Sequence, residues 1–406
     1  MPAGTAVKLD APGSLSLGFD DGCGGLSITC EAARRGGDCN VAWVETTPEK
    51  ADQREGKIML HFHSKATIAA CLGALAGQLA VSVAAQAAEP DFYAGKTISI
   101  ATHTAPGGGY DLLARLTSQV IGRFLPGEPR VIVANMPGAG GLRVFNHAAR
   151  LAPRDGTYLL IVPQGLTVHE PTVGTGMQAS LREMSWIGNF SKAANVLVVW
   201  HTSSINTIED AKRSEVTVGS TGPASIDSSI PLVVNAVLGT RFKVVYGYEG
   251  GSRINLAMER GEVHGRGSNT WTSYSATFAE AVQGKKLIPL VQVGLSKDAA
   301  LPDTPLLVDL VRGDRLKEQV AEFLSLAAAL SRPVAAPPNV PAERLSLLRE
   351  AFNKTMVDGG FQEMASKAGI EIDPMRGDET ETAVMKMLTA PAEVLTQVKA
   401  AIALAK

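Results

Sequence analysis

From residue 96 onward, short runs of β-branched and aliphatic residues alternate with stretches whose apolar residues recur at helical spacing. That alternation constrains the fold more than any other feature. The runs "KTISIAT" (96–102), "RVIVANM" (130–136), "TYLLIVPQ" (157–164), "NVLVVW" (195–200), "EVTVGS" (215–220), "RFKVVYGY" (241–248) and "KLIPLVQVG" (286–294) read as strands. A helix is expected over 110–125, where Leu112, Leu113, Leu116, Val120, Ile121 and Phe124 share one face. Further helices are expected over 207–213, 225–239, 251–260 and 272–282, and one over 141–151. The C-terminal part carries "PAERLSLLREAFNKTMVD" (341–358), "FQEMASKAG" (361–369) and a last helix near 378–389 or beyond. Short apolar strands separated by helices predict α/β layers with mainly parallel sheets.

The ends of four strands share a second property. "APGGGYD" (105–111), "NMPGAGG" (135–141), "GSTGPAS" (219–225) and "YEGGSR" (248–253) each lead from a strand into a helix. In an open parallel sheet, ligands sit where strands end and helices begin. Glycine exposes backbone N–H groups, and a helix N-terminus adds about half a positive charge. One such turn is an ordinary tight turn; four at successive junctions point to a site for an anion, carboxylate or phosphate. Asp111, at its helix start, is suited to accept from the amides of the glycine turn. Glu249 and Asp227 suit helix capping or solvent.

Enzyme signatures are missing. There is no G-x-x-x-x-G-K-[ST], no G-x-G-x-x-G and no G-x-S-x-G. Ser220 in "GSTG" has no neighbouring histidine or acid in the sequence. His103, His147, His169, His201 and His264 are scattered; only His103 stands in a glycine loop, and taken singly it reads as a surface or capping residue. The net charge of −2 mixes both signs along the chain, with no basic stripe for nucleic acid.

The four cysteines are Cys23, Cys30, Cys39 and Cys71, so nothing later needs a disulfide. The spacings among the first three match no zinc pattern. Neither a metal nor a cofactor is expected. Lys65 precedes an apolar run from Ala66 to Val83, and Ala85 and Ala87 fit a signal-peptidase site with a cut after Ala87. Residues 59–87 therefore read as a cleaved signal peptide. Residues 1–58, rich in glycine and charge, read as a non-native or disordered extension before a start at Met59.

"APGGGYDLLAR", "NMPGAGG" followed by "RDGTYLL", "GSTGPAS", "YEGGSRINLAMERGEV" and "LPDTPLL" stand in the order seen in Bug-type receptors of tripartite tricarboxylate transporters. The chain resembles that family over roughly residues 90–385. The resemblance implies a two-lobed periplasmic binding protein of type II, a Venus flytrap with two hinge crossings. Lobe one would be 88–195 plus 330–406, and lobe two 196–329. Crossings are expected near 195–200 and 325–333.

The resemblance also implies a site and partners. One carboxylate of an organic acid would lie on the first two glycine loops, held by backbone amides and water. The first loop supplies Thr104, Ala105, Pro106, Gly107, Gly108, Gly109 and Asp111. The second supplies Asn135, Pro137, Gly138, Ala139 and Gly140. Lobe two supplies Ser220, Thr221, Ser225, Gly250 and Gly251, and Gln164 in "PQGLT" lies at the floor. Arg253 is a candidate for a second carboxylate or else a solvated cation. His103, Thr104, Met136, Glu249 and His264 depart from the residues usual in the family. The implied ligand is a di- or tricarboxylate, an aromatic acid or an acidic amino acid, delivered by a monomeric receptor to integral permease subunits. Rival readings are a binding protein that senses for a membrane signalling partner, an anion receptor for phosphate, and an α/β hydrolase using Ser220.

Overall fold

The computed structural model describes residues 92–403, together with five short strands nearer the N-terminus. The chain divides into two compact units, Met1–Ala87 and Ala88–Lys406. In the first, Val7–Asp10 pairs with Ser14–Leu17, and Cys39–Glu45 pairs with Leu26–Ala32 and Lys57–Ile58, all antiparallel. These pairings differ from the loop-like reading of 1–58. Antiparallel pairing needs only four to seven residues, too few for a periodic signal in a glycine-rich stretch. The expected signal peptide, 59–87, lies outside the described residues.

The second unit holds two sheets. One has six strands: β1 (Thr97–Thr102), β2 (Arg130–Asn135), β3 (Tyr158–Ile161), β4 (Ser185–Asn189), β10 (Pro333–Ala336) and β11 (Met375–Arg376). Its order is β11-β4-β10-β3-β1-β2. The other has five: β5 (Asn195–Trp200), β6 (Val216–Gly219), β7 (Phe242–Val245), β8 (Gly265–Arg266) and β9 (Leu287–Val293), in the order β7-β6-β8-β5-β9. Both sheets are mixed, which corrects the expectation of mainly parallel sheets. β1 is parallel to β2 and β3, but β10 is antiparallel to β3 and β4. β6 is parallel to β7 and β8, but β5 is antiparallel to β8 and β9. Four of the five antiparallel pairings involve β5 or β10, the strands by which the chain enters each sheet from the other; the fifth joins the edge strand β11 to β4.

Helices cover both sheets. Helix α1 (Gly109–Ser118) is shorter than its apolar period suggests. Gln119 and Val120 close it, and Ile121–Phe124 continues as a 3-10 turn that still buries Ile121. A second helix, α2 (Leu142–Arg150), follows β2, and α3 (Leu166–Thr172) follows β3. On the five-stranded sheet lie α4 (Ile208–Arg213), α5 (Ile226–Leu238) and α6 (Gly251–Glu259). They are followed by α7 (Trp271–Thr277), α8 (Ala279–Gln283) and α9 (Leu307–Leu310). The long α10 (Arg315–Ala329) returns the chain to the first sheet, where α11 (Ala342–Val357) and α12 (Gly359–Lys367) pack. The chain closes with α13 (Gly377–Leu388) and α14 (Ala392–Ala403).

α14 does not stay with the sheet that α11 and α12 cover. It buries Val394, Val398 and Ala401 against α5, α10 and α3. Core residues from both sheets, such as Leu160 and Val199, therefore belong to one continuous apolar cluster.

Candidate functional site

The glycine loops meet face to face. Gly140 N–H donates to the Thr221 carbonyl at 3.2 Å, and Ala105 N–H donates to the Glu249 carbonyl at 3.0 Å. Each bond joins a loop of the six-stranded sheet to a loop of the five-stranded sheet. A Cβ on Gly140 would stand 2.7 Å from Ser225 N, and one on Gly222 would stand 2.6 Å from Gly140 N. Gly140 also has φ of +65°, open to glycine and strained for other residues. The cleft is thus closed, and glycine is what lets the two backbones approach.

Between the loops lies a cavity with about 540 Å³ of space between its atoms, mouth included. Of the expected residues, Thr104, Gly108, Gly109, Gly140, Gln164, Thr221, Ser225 and Gly251 line it. Others frame the loops instead. Asp111 accepts from Gly107 N–H (2.9 Å), Arg115 Nε (2.9 Å) and Asn135 Nδ2 (2.9 Å), and Asn135 Nδ2 also donates to the Thr104 carbonyl. Burial alone would raise the Asp111 pKa, but the bonds from Arg115, Gly107 and Asn135 outweigh it and hold the carboxyl low. Ala105, Pro106, Gly107, Pro137, Gly138, Ala139 and Gly250 form the surrounding turns rather than the cavity wall.

Ser220 is buried beneath its loop, its hydroxyl bonded to Ser228 Oγ at 2.6 Å and accepting from Gly222 N–H. Among the described residues, its hydrogen-bond partners include no histidine and no carboxylate. Arg253 lies at the surface. It is 61% exposed, stands 3.9 Å from the Glu249 carboxylate, and does not line the cavity.

His103 is corrected, from surface to interior. It lines the cavity with its ring edge-on to Tyr110 at 4.4 Å between centroids. Burial, then the nearby positive charges of Arg332 and Arg266, lower its pKa to about 3, so the imidazole is neutral at ordinary pH. Asp227, expected at a cap or in solvent, is buried against Arg266, with Nε to Oδ1 at 3.3 Å. Burial pushes its pKa up and Arg266 pulls it back.

Two arginines that carry no sequence motif dominate the electrostatics. Arg266, in the two-residue β8, reaches over Gly251 at the start of α6. Arg332, just before β10, is 7% exposed and lies on the face of Tyr110, 4.2 Å from the ring centroid. Its Nη1 donates to the Ser331 carbonyl at 2.7 Å, and its Nη2 would stand 3.6 Å from a Cβ on Gly109. Arg266 is paired with Asp227; Arg332 has no carboxylate partner among the described residues. Burial lowers the Arg332 pKa from its usual value, which marks the cost of holding that charge in the interior.

The hinge side of the cavity is tied down by amides and a phenol. Asn189 Nδ2 donates to the Ser191 and Ala329 carbonyls at 2.8 and 3.0 Å, and its Oδ1 accepts from Arg332 N–H at 3.0 Å. Tyr110 OH donates to the Ser331 carbonyl, and Gln164 Nε2 donates to the Ala327 carbonyl. Both crossings, 190–194 and 330–332, are thus held through one side chain. Around the cavity, His103 Nδ1, Thr104 Oγ1, Asn195 Nδ2, Thr221 Oγ1, Ser268 Oγ and Asn269 Nδ2 are buried without a hydrogen-bond partner among the described residues. Buried polar atoms are rarely left so, and a cluster of them lining one space is suited to a polar solute.

Comparison with solved structures shows the same fold. The periplasmic binding protein BugD superposes with a TM-score of 0.62 at 17% identity, over 76% of this chain and 98% of its own. R. palustris Rpa4515, solved with adipate, gives 0.60 at 15% identity, over 75% and 97%. MatC (Rpa3494) from Rhodopseudomonas palustris, solved with malate, gives 0.58 at 16% identity, over 76% and 99%. These likenesses establish a two-lobed periplasmic-binding-protein fold. Curated protein sequences give no match. Residues 115–396, well over half the chain, match the family described as tripartite tricarboxylate transporter family receptor, and the chain belongs to that family.

Proposed function

We propose that the protein is an extracytoplasmic receptor that captures a small organic carboxylate between its lobes and presents it to transporter permease subunits. The observation that carries this is the closed cavity. Among the described residues, it buries a guanidinium without an ion-paired carboxylate beside hydrogen-bonding groups that have no partners of their own. A hydrolase would need a base beside its serine. Ser220 is instead tied to Ser228, and His103 is neutral and packed on Tyr110. Solved relatives of the same fold hold adipate and malate, which supports a carboxylate as ligand.

Capture proceeds by rotation about the crossings at 190–194 and 330–332. The lobes are those built on the six- and five-stranded sheets, roughly 88–195 plus 330–406 and 196–329, with α14 packed across to helices of the second. Closing forms the Gly140–Thr221 and Ala105–Glu249 bonds, and the solute is buried among donors already in position. Charge-assisted hydrogen bonds in such a site are worth about 1.5–3 kcal/mol each. The signal-like 59–87 supports a location outside the cytoplasm, and mass spectrometry of the secreted protein should find a chain beginning at Ala88.

A thermal-shift screen of the chain from Ala88 onward tests the reading. Aliphatic and aromatic carboxylates, phosphate and the neutral amides of the same acids form the panel. Ligand at a hundredfold excess over its dissociation constant stabilises by about 2.7 kcal/mol. A shift with a carboxylate that is lost with its amide supports the proposal. A flat response to every carboxylate overturns it.

A further inference from the structure

The cavity is lined by one buried guanidinium, Arg332, one largely buried, Arg266, and one carboxylate, and their arrangement is specific. Each lobe begins a helix with a glycine set against an arginine: Gly109 of α1 against Arg332, and Gly251 of α6 against Arg266. Both helices run for nine residues or more, so each adds a positive pole to its guanidinium. The second pole is already answered. Asp227 lies 3.3 Å from Arg266 and lines the same wall. The first has no carboxylate in contact among the described residues: Arg332 meets a carbonyl and the Tyr110 ring beside the start of α1, and the Asp227 charge reaches it only from beyond ion-pair distance. The other titratable groups lining the space are His103 and Tyr110, and Tyr274 packs behind Arg266; all three are uncharged at neutral pH. The remaining wall is neutral hydrogen-bonding groups: Asn195, Asn269, Ser268, Thr221 and Thr104. Two guanidiniums and one carboxylate leave one excess positive charge among the described residues, and Arg332, the guanidinium without an ion pair, is where an anion can meet it.

We infer that the receptor reads a single anionic group with Arg332, and that its solutes are monocarboxylates whose other end is polar and uncharged. This rests on the proposed capture of a carboxylate and narrows it. It also moves the anion from where the resemblance put it. In the second glycine loop, Gly140 N–H is spent on Thr221 and Gly141 N–H on Gly138, so that loop does not have those amides to offer. A second carboxylate would enter a wall where Arg266 is already matched by Asp227, and would be buried without a countercharge.

Matched binding series by calorimetry test this, with adipate, its monoamide and its diamide as probes, and malate with its monoamides alongside. The expected order is monoamide over dianion and over diamide, by tenfold or more in each comparison. Arg332→Gln should abolish monoamide binding. Asp227→Asn frees the Arg266 pole and should reverse the order, with the dianion now binding more tightly than the monoamide. Circular dichroism and a thermal melt of each unliganded variant establish that it is folded. Should Asp227→Asn not fold, Arg332→Lys serves instead, and it should keep the wild-type order at reduced affinity. Wild-type preference for the dianions, or an Arg332→Gln variant that binds as the wild type does, overturns the inference and leaves carboxylate capture standing. Failure of every acid to bind overturns both.

Discussion

At the scale of single residues, the structure separates two reasons for a glycine that one sequence motif conflates. Gly165 shows the difference. Its φ of −58° and ψ of −23° suit any residue, yet a Cβ there would stand 2.5 Å from Ile226 N and 2.7 Å from Ser225 C, atoms at the start of α5 on the five-stranded sheet. Gly165→Ala should therefore leave the unliganded protein as stable as the wild type, or up to about 1 kcal/mol more stable, since alanine restricts the unfolded chain. Closure should fail, and affinity for the solute should fall at least tenfold. A melt and a titration check both halves; unchanged affinity would show that the loops do not meet when solute binds. His103 gives a prediction in pH. Its pKa is about 3 in the closed fold against about 6.5 unfolded, so the unfolded chain binds the extra proton in between. The stability it supports is complete above about pH 6.5 and is lost at about 1.4 kcal/mol per pH unit as pH falls toward 3. Asp111 and Asp155, held below the usual carboxylate range, lose their contributions only lower down. Denaturant unfolding of wild type and His103→Gln from pH 7 to 4 should show a shallower slope in the variant; parallel slopes would refute the assignment.

At the scale of elements, legibility follows from how local the signal is. β1, β2, β3, β6 and β9 were readable because each is an apolar run bounded by glycine, proline or polar residues. β4 (Ser185–Asn189) was not, since Gly188 and Asn189 weaken its pattern; Gly188 instead gives room to the Phe352 ring. The helix α10 was hidden because its alanine-rich end runs without punctuation into the crossing before Arg332. Asp111 could be read as a partner of the glycine turn because its target lies four residues away. Arg266 and Arg332 could not be placed: neither stands in a motif, and each reaches the cavity through sheet order rather than sequence spacing. Asn189 belongs to the same class, and its role is testable. Removing its side chain with Asn189→Ala leaves the Arg332 amide and the Ser191 and Ala329 carbonyls without their partner in the interior. Stability should drop by about 2–4 kcal/mol in urea unfolding. Solute affinity should fall as well, because Arg332 loses its anchor. A drop below about 0.5 kcal/mol would mean that the crossings are held elsewhere.

At the scale of the whole molecule, the question is which state the empty receptor prefers, and magnitudes decide it. Closure gains the two backbone bonds across the loops, about 1 kcal/mol each. Against them stands the burial of Arg332 with no carboxylate in ion-pair contact among the described residues, an effective penalty of several kcal/mol. The empty protein should therefore rest open, and an anion on Arg332 should close it by removing that penalty. Moving such an equilibrium from 1:99 to 99:1 needs about 5.5 kcal/mol of differential affinity, within reach of a few charge-assisted bonds. Small-angle scattering should show a smaller radius of gyration with solute than without. Arg332→Gln separates this account from simple loss of a ligand contact. With the charge gone, the penalty goes too, and the unliganded variant should be more compact than the unliganded wild type while failing to respond to solute. An unliganded wild type already as compact as the loaded form, or a variant that stays open, would show that the buried guanidinium does not hold the lobes apart.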